Sequence, residues 1–257
     1  MAELKALIFD VDGTLADTER DGHRVAFNLA FRDAGLDWDW SVALYAELLK
    51  VTGGKERIGH YLDHFNTQFV SPPDRDGFIA GLHASKTQHY TRMMAEGAIP
   101  MRNGVKRLIQ EARERGLRLG IATTTTPANV SALLKYSLAP DSESWFEVIA
   151  AGDIVAAKKP APDIYDWAMR QMGVGPEVCM AFEDSHNGVR SALQSGIQSV
   201  LVTTNGYTET DDFAGARLVV DQLGEPDQPF VLREGAACGK RWVDVELLEY
   251  VHRDRCP

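Results

Sequence analysis

Two aspartates close to the start of the chain have a spacing suited to metal chemistry. Asp10 and Asp12 flank Val11 directly after a short apolar run, and Gly13 follows them. Side chains two residues apart on an extended segment point the same way, and adjacent carboxylates resist joint ionisation. A hard divalent cation with oxygen ligands, such as Mg²⁺, relieves that repulsion. The alternative is a strand-ending turn without a ligand, because aspartate and glycine are common turn residues.

A second acidic pair, Glu183 and Asp184, follows another apolar run. Two adjacent acids at the end of a strand can supply the remaining metal ligands. The alternative is an ordinary helix cap, because Asp184 and Ser185 are residue types that favour helix starts. We predict that the two acidic pairs together form one metal site.

Two further residues have the chemistry to hold a phosphate. Thr123 ends an apolar run, where a hydroxyl and free backbone N–H groups ahead of a helix can bind phosphate oxygens. Helix capping is the alternative for any of the four threonines that begin there. Lys159 precedes Pro160, which fixes the backbone, and a cation there can neutralise phosphoryl charge. A solvated pair with Lys158 is the alternative.

The elements that must position these residues are short strands alternating with helices. Apolar runs predict six strands, at residues 6–9, 117–122, 146–151, 178–182, 199–202 and 218–220. Helical periodicity predicts helices at residues 103–115, with Asn103 as the cap, and at 127–138, 162–172, 185–195 and 243–251. This alternation predicts an α/β fold with a Rossmann-like, mostly parallel sheet, whose strand ends bring the four motifs together.

One stretch breaks the alternation. Residues 16–99 contain no convincing strand, and helices are predicted at residues 19–34, 41–50, 55–65 and 74–96. We therefore predict an inserted all-helical cap domain over residues 16–99 and a core domain over residues 1–15 and 100–257. Because the insertion comes directly after the first strand, both of its ends must lie near the C-terminal end of that strand. The cap is therefore predicted to cover the ligand-binding edge of the sheet.

Composition excludes several classes of partner. The chain has 257 residues and a formal net charge of −10, with a sequence pI near 5.2. An acidic surface repels phosphate backbones and anionic lipids, so neither nucleic acid nor membrane is an expected partner. Three cysteines form no disulfide framework, and no signal peptide or membrane span is evident. We predict a cytoplasmic protein, and an acidic monomer.

The four motifs, in this order, resemble those of the haloacid-dehalogenase-like hydrolase superfamily across nearly the whole chain. The helical insertion resembles the cap of the phosphoglucomutase-like branch. Local strings around Glu19, Arg57, Lys86 and Asn129 resemble the CbbY-type sugar-bisphosphate phosphatases, a branch linked to Calvin-cycle genes. In that branch the substrate is xylulose 1,5-bisphosphate, an inhibitory by-product of Rubisco.

The resemblance implies a role for each core residue. Asp10 would be the nucleophile, and Asp12 would protonate the leaving oxygen and then activate water. Thr123 and Lys159 would grip the transferring phosphoryl group. Mg²⁺ would be held by Asp10, the backbone carbonyl of Asp12 and Asp184, with Glu183 in its inner or outer shell.

Specificity would come from residues of the cap and from the loop that begins with the four threonines at residues 123–126, here called the threonine loop. Lys55 and Arg57 follow a glycine pair that lets the backbone approach an anion, and His83 and Lys86 share a helix face. The alternative for each of these charges is an exposed helix position. The full set of predicted substrate-binding residues is Glu19, Gly53, Gly54, Lys55, Arg57, His83, Lys86, Thr124 and Asn129.

The predicted function is Mg²⁺-dependent hydrolysis of a small sugar phosphate through an aspartyl-phosphate, with xylulose 1,5-bisphosphate yielding xylulose 5-phosphate. One alternative is a β-phosphoglucomutase-like mutase that uses the same two aspartates. Another is a non-catalytic phosphate-binding regulator. The presence of every catalytic residue type disfavours the regulator.

Overall fold

The computed structural model describes residues 2–51 and 53–254, and this part of the chain forms two compact units. One unit contains the chain up to Asp17 and from Pro100 onward. The other is the continuous segment Thr18–Ile99. We refer to them as the core unit and the helical unit.

The core unit contains a sheet of seven strands within the described residues, in the order β3-β2-β1-β4-β5-β6-β7. The first six strands are parallel, and β7 is antiparallel to β6. The predicted α/β class with a mostly parallel sheet is therefore confirmed. The strands are β1 Ala6–Phe9, β2 Arg118–Ala122, β3 Val148–Ala150, β4 Cys179–Glu183, β5 Ser199–Thr203, β6 Leu218–Val220 and β7 Leu232–Gly235.

The central strands form because their residues are apolar and almost wholly buried. Every residue of β1 and β4 is buried, as continuous apolar runs require when helices cover both faces of a sheet. One face packs against two helices, α7 (Asp163–Met172) and α8 (His186–Gln194), through residues such as Ile164, Ala168 and Val189. The helices of the core unit are α5 Val105–Glu114, α6 Pro127–Leu133, α7 Asp163–Met172, α8 His186–Gln194 and α9 Val245–Arg253.

The strand register brings the motif residues to one edge of the sheet. Phe9 of β1 lies opposite Ile121 of β2 and Phe182 of β4. Asp10, the next residue after β1, donates its backbone N–H to the carbonyl of Phe182 at 2.9 Å. Glu183 follows Phe182, and so the first and last motifs must meet at the carboxyl ends of adjacent strands.

The helical unit contains α1 Arg24–Asp33, α2 Val42–Leu48, α3 Gly54–His64 and α4 Arg75–Ala95, with a π-helical segment at Thr18–His23. Aromatic rings form its core. Trp40 is fully buried, and its ring centroid lies 4.7 Å from that of Phe27 and 4.9 Å from that of Phe31. Burial of large aromatic groups is the main source of stability in a unit of this size.

Several local predictions were wrong. Six strands were predicted, and the seventh, β7, was missed. Helix α5 is preceded by Gly104 rather than capped by Asn103, whose side chain instead donates to Gln222 at 2.7 Å. The helix predicted at residues 127–138 is α helical only to Leu133 and then widens into a π-helical segment.

The cysteines also differ from expectation. Cys179 is free and buried, but Cys238 is disulfide-bonded, so the prediction of no disulfide is wrong at that position. Cys256 lies outside the described residues. Among the described helices, none has both the length and the apolar character needed to cross a membrane.

The guanidinium of Arg102 holds together the loops around the sheet edge. It donates to the backbone carbonyls of Gly13, Thr204 and Asp221, the last two at 2.6 and 2.8 Å. Its Nε lies 3.4 Å from Asp17, and its side chain is 9% exposed. Because Gly13 follows Asp12, this buried cation fixes the loop that contains the first motif.

We predict that Arg102→Met lowers the free energy of unfolding by about 3 kcal/mol, because it leaves the half-buried carboxylate of Asp17 and several carbonyls without their donor. Urea denaturation followed by circular dichroism measures the change. Arg233→Met is the control, because Arg233 is half exposed and 3.7 Å from Glu209. It should cost less than about 0.5 kcal/mol. Equal losses in the two variants would contradict a special role for Arg102.

Candidate active site

Three buried carboxylates meet at the carboxyl edge of the sheet. Asp10, Glu183 and Asp184 are 6%, 1% and 9% exposed, and one oxygen of each lies within 4.8 Å of the others. The structure thus brings together the acidic residues at the ends of β1 and β4, as the sequence predicted. Like charges this close and this dry cannot all ionise without a proton or a cation.

Lys159 binds two of these carboxylates. Its Nζ lies 2.6 Å from Oδ1 of Asp10 and 2.6 Å from Oε1 of Glu183. Burial alone would lower the pKa of this ammonium, but the two carboxylates raise it above its ordinary value. Lys158 lies instead 2.7 Å from the fully exposed Asp153. The alternative of a solvated lysine pair is therefore wrong for Lys159.

The remaining acids are held partly protonated when no cation is present. Burial, followed by the charge of Asp10, raises the pKa of Glu183 to about 7, although Lys159 acts in the opposite direction. The pKa of Asp184 is raised well above its ordinary value by burial and by the two neighbouring carboxylates. At neutral pH the charge of Lys159 is therefore too small to balance three ionised carboxylates.

The donor set suits a hard divalent cation. Three carboxylates provide the oxygen ligands that Mg²⁺ prefers. Oε2 of Glu183 is buried and has no hydrogen-bond partner among the described residues, which is costly unless a ligand completes it. Asp10 and Asp184 are the residues that would hold the cation, with Glu183 beside them. The carbonyl of Asp12 stays a predicted ligand.

Two residues that hold the acids in place were missed by the sequence analysis. The hydroxyl of Tyr165 donates to Oε1 of Glu183 at 2.6 Å, and the amide of Asn205 donates to Oδ2 of Asp184 at 2.7 Å. Asn205 follows β5 by two residues, and this position at the same edge of the sheet was a usable signal. Tyr165 lies on an apolar helix face, where a tyrosine predicts only core packing.

Two glycines are required by the close approach of the acids. A Cβ at Gly13 would lie 2.0 Å from Oδ2 of Asp184, and one at Gly188 would lie 1.8 Å from Oε2 of Glu183. Both distances are far below contact. Gly13 also has a φ of +82°, a backbone conformation that glycine adopts without strain and that turns the chain away after β1.

Asp12 and its neighbours form a tight loop after β1. The N–H of Gly13 donates to the carbonyl of Ala16 at 2.8 Å, and the N–H of Leu15 donates to the carbonyl of Val11 at 2.9 Å. Asp12 is half-buried, unlike the fully buried acids. Its carboxylate is not one of the three in the buried cluster, and its role in proton transfer stays a prediction.

In the threonine loop, helix capping and the predicted phosphate binding fall on different residues. Thr123 is fully buried at the strand end, and its N–H donates to the carbonyl of Ala150 at 2.9 Å. Thr126 is the cap of α6 and accepts from the N–H of Asn129 at 3.4 Å. Thr124 is exposed. Capping therefore belongs to Thr126. The hydroxyl of Thr123 accepts from the N–H of Thr125 at 3.3 Å, and its contact with a phosphate stays a prediction.

In the helical unit, hydrogen bonds link two predicted substrate-binding residues, Glu19 and Arg57, through the hydroxyl of Tyr45. The hydroxyl of Tyr45 donates to Oε2 of Glu19 at 2.7 Å and accepts from Nη1 of Arg57 at 2.9 Å. Arg57 is 9% exposed, and its Nε donates to the carbonyl of Leu48 at 3.1 Å. Glu19 and Arg57 are thus brought together, and the sequence analysis missed the tyrosine between them.

Lys86 is also buried in the helical unit. Its Nζ lies 2.7 Å from Nδ1 of His23 and 5.1 Å from the ring centroids of Phe27 and Tyr90. The pKa of His23 is lowered to about 4, chiefly by burial, although Glu19 raises it. His23 is therefore neutral at pH 7. The sequence analysis missed its place beside the lysine.

The other predicted residues of the helical unit are less closely grouped. Gly53 precedes α3, and a Cβ at Gly54 would lie 2.6 Å from the ring of His83. Burial lowers the pKa of His83, and Lys86 lowers it further. Lys55 is exposed and lines an open groove with Arg75 and acidic residues. The structure therefore separates Lys55 from the buried cations.

Comparison with known proteins gives a consistent result. The family model for haloacid dehalogenase-like hydrolases matches residues 4–196. The protein CbbY of Cupriavidus necator is 46% identical over 254 residues, which cover 97% of each chain. CbbY of Rhodobacter capsulatus is 51% identical over 83% of this chain and 91% of its own.

A solved structure shows the same relationship. It is a mutant of CbbY from Rhodobacter sphaeroides in complex with xylulose 1,5-bisphosphate. The two chains are 46% identical and superpose with a TM-score of 0.70, over 85% of this chain and 94% of the other.

We predict that Mg²⁺ stabilises the protein much more at pH 8 than at pH 5. The pKa of Glu183 is raised from its ordinary 4.5 to about 7, so the metal-free fold loses stability as pH rises between these values. A cation replaces the lost protons and should contribute about 3 kcal/mol at a hundred times its Kd. Thermal unfolding with EDTA or Mg²⁺ measures the difference.

Asp184→Asn is the control for that measurement. It removes one ligand charge and should shrink the Mg²⁺-dependent rise in the unfolding midpoint at pH 8. An equal rise at pH 5 and pH 8 in the unaltered protein would mean that the acidic cluster does not take up the cation.

Proposed function

The chain belongs to the haloacid dehalogenase-like hydrolases and is a phosphatase, and from this premise we propose that it hydrolyses a small sugar phosphate through an aspartyl-phosphate on Asp10. The contact between Lys159 and Asp10 is the observation that supports this most directly. Lys159 lies 2.6 Å from Oδ1 of Asp10 in a buried site. A nucleophile and a phosphoryl-neutralising cation are thereby adjacent.

Each step has a residue suited to it. One carboxylate oxygen of Asp10 attacks phosphorus in line, and the bond from phosphorus to the sugar oxygen breaks. Asp12 donates a proton to that oxygen, then takes a proton from the water that attacks the aspartyl-phosphate. The water oxygen becomes part of inorganic phosphate, and Asp10 is regenerated. Lys159 and Thr123 hold the phosphoryl oxygens throughout.

Mg²⁺ is the proposed cofactor, held by Asp10, Asp184 and the carbonyl of Asp12. When bound, it would neutralise charge on the phosphoryl oxygens. The buried acids that fit it, and the orphaned oxygen of Glu183, support this choice.

The proposed substrate is xylulose 1,5-bisphosphate, which would yield xylulose 5-phosphate. The CbbY relatives, one of them solved with this compound, support the assignment. Buried cations in the helical unit support it on physical grounds. A second phosphate needs a basic site in a chain whose net charge is −10, and Arg57 and Lys86 are the buried cations predicted for it.

The other residues predicted to bind the substrate are also proposed to contact it. Glu19 is proposed to accept a hydrogen bond from a sugar hydroxyl in exchange for its bond to Tyr45. The proposed setting is the Calvin cycle of a cytoplasmic enzyme that acts as a monomer on a soluble sugar phosphate. Nucleic acid and membrane are not part of it.

The first test is phosphate release from a generic phosphate ester with Mg²⁺. Asp10→Asn should abolish turnover, because an amide cannot form the aspartyl-phosphate. Asp12→Asn should reduce turnover by about 10²- to 10⁴-fold, the usual contribution of general acid–base catalysis. Asp153→Asn, at a fully exposed acid, is the control and should be unchanged. Full activity of Asp10→Asn would refute the proposed nucleophile.

The second test compares xylulose 1,5-bisphosphate with ribulose 1,5-bisphosphate and hexose monophosphates. We expect a preference of orders of magnitude for the xylulose compound. Lys86→Met should raise KM for it by about 10- to 100-fold, the value of a lost charge-assisted bond, while sparing the generic ester. Lys50→Met is the control, because Lys50 is 72% exposed. Slow turnover of all substrates would refute the proposed substrate.

The same assay separates hydrolysis from the mutase alternative. A phosphatase releases inorganic phosphate from a sugar monophosphate in proportion to the substrate consumed. A mutase would instead accumulate a rearranged sugar phosphate with little free phosphate.

A further inference from the structure

We propose that Tyr165 is a positioning residue for phosphoryl transfer, which acts by fixing the carboxylate that holds Lys159 on Asp10. The inference rests on the proposed function. Its basis is a shared acceptor: Oε1 of Glu183 accepts from the hydroxyl of Tyr165 and from the ammonium of Lys159, each at 2.6 Å. Within the described part of the chain, the hydroxyl of Tyr165 bonds to Glu183 and not to Asp10.

Tyr165 is well suited to act as a rigid support. It is fully buried on α7 and belongs to the apolar core between that helix and the sheet. The Lys159 ammonium lies 5.3 Å from the centre of its ring, so the same side chain approaches the lysine through its ring and the glutamate through its hydroxyl. Packing leaves the hydroxyl little freedom to move away.

The glutamate is confined from the other side as well. A Cβ at Gly188 would lie 1.8 Å from Oε2 of Glu183, so the carboxylate lies directly against the first turn of α8. The Tyr165 hydroxyl and the backbone at Gly188 therefore hold Glu183 between them. A carboxylate without such support would be free to adopt other rotamers around a strongly attracting ammonium.

The position of Glu183 affects the nucleophile because the ammonium of Lys159 binds both Glu183 and Asp10. Its Nζ lies at equal distances from Asp10 and Glu183, so a shift of Glu183 would draw the ammonium with it. Movement of that charge away from the nucleophile weakens its interaction with the developing phosphoryl charge. Positioning errors of this kind lower turnover even when every catalytic residue is present.

Tyr165→Phe tests the proposal, because it removes only the hydroxyl and keeps the ring in the core. With generic ester and saturating Mg²⁺, we expect kcat to fall about tenfold, the lower end of the usual effect of outer-shell partners. Ser142→Ala is the matched control. Ser142 is fully buried, and its hydroxyl donates to the carbonyl of Leu134 at 2.7 Å, outside the active site. It should lower stability without lowering kcat.

A double-mutant cycle distinguishes positioning from a general structural effect. Once Glu183→Gln has removed the carboxylate, Tyr165→Phe should change kcat by less than about twofold, because the two residues act as one unit. A full tenfold fall in the Glu183→Gln background would overturn the proposal. So would recovery of kcat at higher Mg²⁺ concentration, since Tyr165 would then act on the cation rather than on Lys159.

Calorimetric binding of inorganic phosphate, with Mg²⁺ present, decides the matter independently of turnover. Tyr165→Phe should weaken phosphate binding about tenfold, and this loss should vanish in the Glu183→Gln background. If the unaltered protein binds phosphate but hydrolyses no ester, the proposed function fails while the phosphate affinities still test Tyr165. Unchanged phosphate affinity and unchanged kcat in Tyr165→Phe would refute the inference.

Discussion

Three buried carboxylates lie together in the core unit, and one buried ammonium binds two of them, so the cluster has more acidic groups than that ammonium can balance. Lys159 binds Asp10 and Glu183, and Asp184 lies beside them with an amide as its hydrogen-bond donor. Burial removes the water that would otherwise screen these charges, so a proton or a cation must complete the site. Because the buried carboxylates outnumber the positive charges beside them, binding of a cation is favourable. The cation and Lys159 together then provide the charge that a phosphoryl group requires.

The three carboxylates stay close together, despite their mutual repulsion, because the backbone holds them in place. Parallel pairing of β1 with β4 sets Asp10 beside Glu183, and glycines at positions 13 and 188 allow the carboxylates to approach within a distance that any Cβ would block. Arg102 binds the carbonyl of Gly13 and the ends of two further strands. Charge repulsion among the acids is thus opposed by hydrogen bonds and packing outside the cluster, the usual arrangement in preorganised sites.

The sheet was predictable because β1 and β4 are short apolar runs buried on both faces, a pattern with few alternative explanations. β7 was not, because all four of its residues are exposed and it is held by backbone pairing with β6. Within the site, residue type was informative at strand ends. It favoured Lys159 through the proline that follows but could not exclude a solvated pair with Lys158, nor could it show that Tyr165 donates to Glu183. Such contacts depend on tertiary geometry that no local pattern records.

The acidic composition makes the buried cations of the helical unit significant for an anionic substrate. Long-range attraction cannot favour a sugar phosphate when the chain has a net charge of −10, so recognition must depend on short contacts where water is excluded. Arg57 and Lys86 are buried, and His23, with its pKa lowered to about 4, stays neutral beside the lysine. A neutral imidazole can accept a hydrogen bond from Lys86 without adding repulsion. It thereby orients the ammonium of Lys86, the group that we propose for the second phosphate of the bisphosphate substrate.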